Sequence, residues 1–260
     1  MTAASREGHV ALVTGAGTGI GKATACLLAE RGMHVALVGR RRQLLEQTAR
    51  AVEAAGVDVL VIPGDLGDPA LPRQLVHETV RGLGRLDVLV NNAATIAVGP
   101  LDAFTVEQID RHLAVNTRAP LLLTQEATPP LTESPDGAIV NVSSSVGSIV
   151  KPGNGLYGMT KAALEYLTRA SAYELADRRI RVNCIAPGPV ETPIHEVWAD
   201  DLEAAYADLS RRVPLGRMAL PEEVAVWVWA LVDPATAWTT GNVIHVDGGQ
   251  VLGLPPDAGG

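Results

Sequence analysis

Aromatic residues make up only 3% of the 260 residues: one phenylalanine, four tyrosines and four tryptophans. So little ring surface leaves no stacking platform for single-stranded nucleic acid. Positive charge is also short. Lys and Arg number 21 against 29 Asp and Glu, a formal net charge of −8, and only three of the cations are lysines, Lys22, Lys151 and Lys161. That average field repels a phosphodiester backbone and excludes nucleic acid as a partner, while a local basic patch remains able to hold one small anionic cofactor. The two cysteines, Cys26 and Cys184, lie far apart with no Cys or His at metal-ligand spacing, so neither a disulfide framework nor a metal site is signalled. Both read as small core residues. No apolar run approaches the length of a bilayer crossing, and the opening MTAASREGHV carries no apolar signal core, which gives the expectation of a cytoplasmic protein without a membrane partner. No internal repeat or interior linker is visible, and only the final GLPPDAGG has a disordered composition.

What is present is a hydrophobic content of 47%, enough for one sizeable core and hence for a single domain over residues 1–260. Short Val- and Ile-rich runs, apolar on successive residues, recur at 9–14, 34–39, 58–63, 86–91, 137–143, 179–186 and 242–247. Strands buried on both faces read this way. Between them lie helix-length stretches at 19–30, 41–55, 69–82, 105–128, 157–176 and 221–232, as crossovers between parallel strands require. The alternation predicts an α/β fold: a doubly wound, Rossmann-type domain with a mostly parallel sheet of about seven strands and helices on both faces.

The turn after the first strand, LVTGAGTGIGKA (12–23), places Gly15, Gly19 and Gly21 between an apolar run and a helix. Bare backbone at a helix N-terminus is where a pyrophosphate docks. Downstream, YGMTKAALEYL sets Tyr157 and Lys161 four apart on one helical face, and an ammonium beside a phenol is expected to lower its pKa from about 10. NVSSSVG offers three hydroxyls, Ser143, Ser144 and Ser145, at the carboxyl end of a buried strand, the edge at which ligands collect in such sheets.

In order along the chain, TGAGTGIG (14–21), DL (65–66), NNAA (91–94), VN (115–116), VNVSSSVG (140–147), YGMTK (157–161), PGPVET (187–192) and VDGG (246–249) together resemble the short-chain dehydrogenase/reductase family in its single-domain form. The resemblance covers about His9 to Gly249. It implies an NAD(P)(H)-dependent oxidoreductase moving hydride between the nicotinamide and a carbonyl or secondary alcohol, with Tyr157 as general acid/base, Ser144 orienting the oxygen and Lys161 on the nicotinamide ribose. Asn116 corresponds to the fourth catalytic member, which holds a water linking the lysine to solvent. Among the serines, Ser144 is singled out by the family's thirteen-residue spacing to the tyrosine and the Gly147 that follows.

For the coenzyme the resemblance implies contacts from Gly15, Thr18, Gly19, Ile20 and Gly21 to the phosphates and from Asp65 and Leu66 to adenine. Asn92 lies at the central crevice, and Pro187, Gly188, Val190 and Thr192 stand around the nicotinamide. NNAA departs from the family, which usually ends this motif in glycine, so Ala94 narrows the space there. At the end of the second strand Gly39 occupies the position where NAD-specific sites carry an acid, and Arg40, Arg41 and Arg42 follow, which predicts a preference for NADP(H) with NAD(H) as the alternative. Thr18 stands where many NADP-preferring relatives have a basic residue, so Arg40 carries the selection.

The segment 193–215 is expected to be a substrate lid. Ile96, Val98, Val146, Ile194, His195 and Trp198 are candidates for a partly apolar substrate pocket, with His195 read as a solvated loop residue. Family members commonly pair helices corresponding to 105–128 and 157–176 and strands near 242–252, which implies a homotetramer, with a dimer as the alternative. The competing readings are a non-catalytic dinucleotide sensor or scaffold, and an epimerase or dehydratase on the same fold.

Overall fold

The computed structural model describes residues 6–253. All but the first residue of the terminal GLPPDAGG lies outside them.

The expected alternation is present. Strand β1 (Val10–Thr14) leads through the glycine turn to helix α1 (Gly19–Glu30), then β2 (His34–Gly39), α2 (Arg42–Glu53), β3 (Val59–Pro63), α3 (Leu71–Leu83) and β4 (Val88–Asn91). The second half runs α4 (Val106–Leu113), α5 (Ala119–Glu133), β5 (Ala138–Val142), α6 (Gly155–Glu174), β6 (Arg181–Pro187), α7 (Leu202–Arg211), α8 (Pro221–Val232) and β7 (Val243–Val246). The seven strands lie in the order β3-β2-β1-β4-β5-β6-β7, and every pairing is parallel.

Successive strand residues serve opposite faces. Ala11 and Val13 pack with Leu28 of α1, Leu45 of α2 and Val228 of α8, whereas Leu12 packs with Leu75 of α3 and Leu123 and Leu131 of α5. Both layers are apolar, which is why the strands read as continuous hydrophobic runs.

The stretch 105–128 is not one helix. Thr105 and Gln108 form a capping box that starts α4, and a π-helical turn over Ala114–Arg118 separates it from α5. Such a widened turn leaves backbone groups out of the regular ladder, and Asn116 sits within it. Helix α5 then runs past 128 to Glu133 despite Pro129 and Pro130.

The strand order reverses direction between β1 and β4, where a crevice opens at the carboxyl ends of the strands. Thr14 ties the two together. Its hydroxyl donates to the Val90 carbonyl (3.1 Å) and accepts from the N–H groups of Asn92 (2.9 Å) and Ala93 (3.1 Å).

Candidate active site

One large cavity of about 1140 Å³ follows this crevice from the β1–α1 turn to the segment after β6. At one end the glycine turn shows why it needs bare backbone. Gly15 and Gly19 have φ of +68° and +52°, in the left-handed region. A side chain on Gly15 would meet the Asn92 amide at 2.7 Å, and one on Gly21 would run into the Gly15 carbonyl itself. Asn92 secures the turn by donating to the Thr14 carbonyl at 2.8 Å, so its amide braces the backbone that faces the cavity. Thr18 is the N-cap of α1 with no side-chain capping bond, and Ile20 packs partly buried against the core.

Gly39, Arg40 and Arg41 line the cavity where β2 ends. Arg40 is exposed and makes no ion pair among the described residues, though its charge acts on Asp65, while Arg42 reaches Glu46 at 3.7 Å. The nearest acid after the strand is thereby engaged. Just after β3, beside the end of β2, Asp65 accepts from Arg111 (2.8 Å) and from the Gly67 N–H (2.8 Å). Desolvation works against its charge, but these two bonds, together with the charges of Arg111 and Arg40, outweigh it and hold the carboxyl below the usual range. Leu66 beside it is buried and lines the cavity. Arg111 was not foreseen, since nothing in the spacing of α4 marks it as a partner of a residue 46 positions earlier.

Ser144, Tyr157 and Lys161 line the central part of the cavity. The three adjacent serines have different roles. Ser143 donates to Glu165 (2.9 Å) and to the Lys161 carbonyl (3.2 Å), and Ser145 donates to Gln250 (2.7 Å). Among the described residues, Ser144 is the one of the three whose hydroxyl has no hydrogen-bond partner. Glu165, another residue without a sequence signal, also accepts from Ser148 at 3.3 Å and so grips both ends of the serine turn.

The Tyr157 side chain is 8% exposed and its hydroxyl has no hydrogen-bond partner among the described residues. Lys161, 2% exposed, donates to the Val142 carbonyl (2.7 Å), and its ammonium lies 5.5 Å from the Tyr157 ring centroid. The expected lowering of the phenol pKa is overturned. Burial pushes the phenol up, and desolvation pushes Lys161 itself down to about 8, against the nearby Cys184 and Glu165. The ammonium lies over the ring, with a backbone carbonyl as its partner.

Asn116 is buried, with all its side-chain bonds to protein. It accepts from the Thr95 N–H (2.9 Å) and donates to the Thr95 carbonyl (2.9 Å) and to Thr160 (3.0 Å). It clamps the loop after β4 to α6 one residue from Lys161.

Pro187, Gly188, Val190 and Thr192 form the far wall. The Thr192 methyl lies where a side chain on Gly19 would be, at 2.8 Å, which brings the segment after β6 against the glycine turn. Segment 193–215 contains a short 3-10 turn (Pro193–Val197) and α7. Ile96, Val98, Ile194, His195 and Trp198 line the cavity as expected; Val146 does not. The Val146 carbonyl lies against Gly158 of α6. His195 is not a solvated residue either. Its Nε2 lies 2.9 Å from the Val190 carbonyl, and its ring stands edge-on to Trp198 and Tyr206, each with a centroid separation of 5.6 Å.

A dinucleotide-sized crevice at the strand-order reversal, a glycine turn at its floor and a Tyr–Lys pair at its centre define a nicotinamide-dependent oxidoreductase of the doubly wound type. The chain belongs to the short-chain dehydrogenase/reductase family. A family model described as enoyl-(acyl carrier protein) reductase matches residues 15–250. The chain is 39% identical over 248 residues to the 3-oxoacyl-acyl-carrier-protein reductase FabG of Thermotoga maritima, covering 95% of this chain and 99% of that one. It is 36% identical to versicolorin reductase 1 of Aspergillus parasiticus, over 94% and 96% of the respective chains. A crystal structure of a short-chain dehydrogenase from Burkholderia cenocepacia, in complex with NADP, superposes with a TM-score of 0.88 at 33% identity, over 95% of this chain and 99% of that one.

Proposed function

We propose that this protein reduces the carbonyl group of a small, partly apolar substrate with NADPH, using Tyr157 as the proton donor and Ser144 to orient the carbonyl oxygen. The observation that carries this reading is the pair of free hydroxyls, Ser144 and Tyr157, on the wall of one cavity in which the neighbouring serines are engaged elsewhere.

The residues fit a dinucleotide. Bare backbone at Gly15, Gly19 and Gly21 would hold the phosphates, with Thr18 and Ile20 in the same turn. Asp65 and Leu66 would stand at the adenine. Pro187, Gly188, Val190 and Thr192 would shape the nicotinamide end, and Lys161 would meet the ribose. When bound, the coenzyme supplies the hydride. The chain's own residues handle the proton. Because burial raises the phenol pKa, Tyr157 holds its proton at neutral pH and is ready to donate it to the carbonyl oxygen. Lys161, with a pKa of about 8, is mostly charged at pH 7 and favours the negative charge left on the phenol oxygen. Asn116 keeps the loop after β4 fixed to α6, and with it the position of Lys161.

For coenzyme choice, Arg40 lines the cavity at the end of β2 without an ion pair among the described residues, in reach of an adenosine 2′-phosphate, and no acid stands at Gly39. The NADP complex of the Burkholderia relative agrees with this preference. Gly39→Asp combined with Arg40→Leu is expected to shift the kcat/KM ratio towards NAD(H) by tenfold or more. A side chain at Gly39 meets only the tip of Leu45, at 3.3 Å, so the fold tolerates it. Rates from nicotinamide absorbance with each coenzyme, over a panel of ketones and aldehydes, test both the reaction and the preference. A tenfold preference of the unmodified protein for NAD(H) would refute the role of Arg40.

The assembly we propose is a homotetramer. Tyr166 and Tyr173 of α6, together with Leu121 of α5, are exposed on the helices that family members pair, more apolar surface than a solvated helix face needs. Sedimentation at micromolar concentration should give a single species of about four chains; a monomer would contradict this.

A further inference from the structure

Beyond Tyr157, the cavity wall changes character. The turn after Gly147 carries Lys151, the segment after α7 carries Arg212, and Gln250 closes the gap between them; all three line the cavity beside Ser144 and Ser145. They are brought together by packing far apart in sequence. Val213 and Leu215 fill the space over Gly248, the Leu215 N–H donates to the Gly248 carbonyl (3.2 Å), and Ser145 donates to the Gln250 Oε1 (2.7 Å).

Each of these residues has donor capacity left over. Gln250 is 4% exposed, yet its amide nitrogen has no hydrogen-bond partner among the described residues. A buried amide N–H without an acceptor costs free energy unless a ligand supplies one. The Lys151 ammonium forms no hydrogen bond or ion pair among the described residues. Desolvation, then the charge of Arg212, push it down to about 8, with Asp247 opposing. No carboxylate among the described residues pairs with Lys151, while Asp208, which also lines the cavity, already pairs with Arg212. Asp247 accepts from the N–H groups of Gly249 (2.9 Å) and Val251 (2.7 Å), and Asp208 is shared between Arg211 (3.4 Å) and Arg212 (2.8 Å).

We infer that the substrate of this enzyme carries an oxyanion, a carboxylate or a phosphate, held by Lys151 and the Gln250 amide with Arg212 beside them, while its carbonyl lies at Ser144 and Tyr157. An oxyanion supplies the acceptor that the Gln250 amide lacks among the described residues and a paired partner for Lys151, in one group. The inference rests on the reductase reading for its carbonyl and on the three donors for its charge.

The test separates the two. The probes are the 2-oxo, 3-oxo and 4-oxo acids of five carbons, their methyl esters, and hydroxyacetone with and without its phosphate. Binding to the NADP-loaded protein is measured by calorimetry and reduction by NADPH absorbance, for the unmodified protein, Lys151→Met and Lys151→Arg. At least one charged probe is expected to bind tenfold or more tightly than its neutral partner. That preference should vanish in Lys151→Met and return in Lys151→Arg, and whether the carboxylates or the phosphate show it identifies the anion. If that binding preference is found but no probe is reduced, the anion site stands and the reductase reading falls. Reduction of the neutral probes without preference for the charged ones would overturn the anion site and leave the reductase reading intact. Absence of any charged-probe binding at millimolar concentration, or a preference that persists in Lys151→Met, would also overturn it.

Discussion

Tyr157→Phe is expected to give a folded protein that still binds coenzyme and turns over at least about 100-fold more slowly. The ring is buried against its neighbours and phenylalanine keeps that packing. The hydroxyl bonds to no described residue, so deleting it strands no partner, and the melting temperature should stay within a degree or two of the parent. What goes is the proton that the buried phenol retains at neutral pH. The same site predicts a pH dependence. Lys161, at about 8, is charged below that value and neutral above it, so turnover in the reducing direction should decline as pH rises through about 8. Steady-state rates from pH 6 to 10, together with coenzyme fluorescence titration of Tyr157→Phe, check both. Near-parental turnover in that variant would refute the proton-donor role.

Gly21→Ala should be the most damaging single-methyl change in the glycine turn. The added carbon runs into the Gly15 carbonyl and lies 2.7 Å from the carbon behind it, and these are backbone atoms held between β1 and α1. The Asn92 amide that crowds the same spot is itself fixed to the Thr14 carbonyl. Nothing there yields cheaply, so the turn must open, at a cost of about 3 kcal/mol by comparison with other overpacked sites. Opening spreads the N–H groups that would face the phosphates. Coenzyme affinity should fall tenfold or more and the melting temperature by roughly 5 °C or more. A Gly21→Ala protein that melts normally and titrates with coenzyme like its parent would show that the phosphates do not lie on this turn.

Much of the architecture was legible because the parallel strands are buried on both faces. Continuous runs such as VALVT and HVALVG leave no other placement for their side chains, and the crossover stretches between them fit helices of ten or more residues. The strand expected from Leu86 begins only at Val88; Asp87 before it accepts the Val10 N–H on its carboxylate (2.8 Å) and pairs with Arg85 (2.7 Å). The break within 105–128 was hidden because a π-helical turn shares the composition of the α-helix around it.

In the candidate site, local spacing and long-range packing divide the outcome. The glycine turn, the Tyr157–Lys161 face, the family and the missing acid at Gly39 can be read from consecutive residues, since each is written within a short stretch or one helical turn. Long-range packing alone fixes which serine hydroxyl has no partner among the described residues, that Asp65 meets Arg111, that His195 is pinned to Val190, and that Lys151, Arg212 and Gln250 share one wall. It also reversed the expected direction of the phenol pKa. Spacing along a helix shows that a cation is near, but desolvation depends on what every other segment packs around the pair, and here burial outweighs the charge.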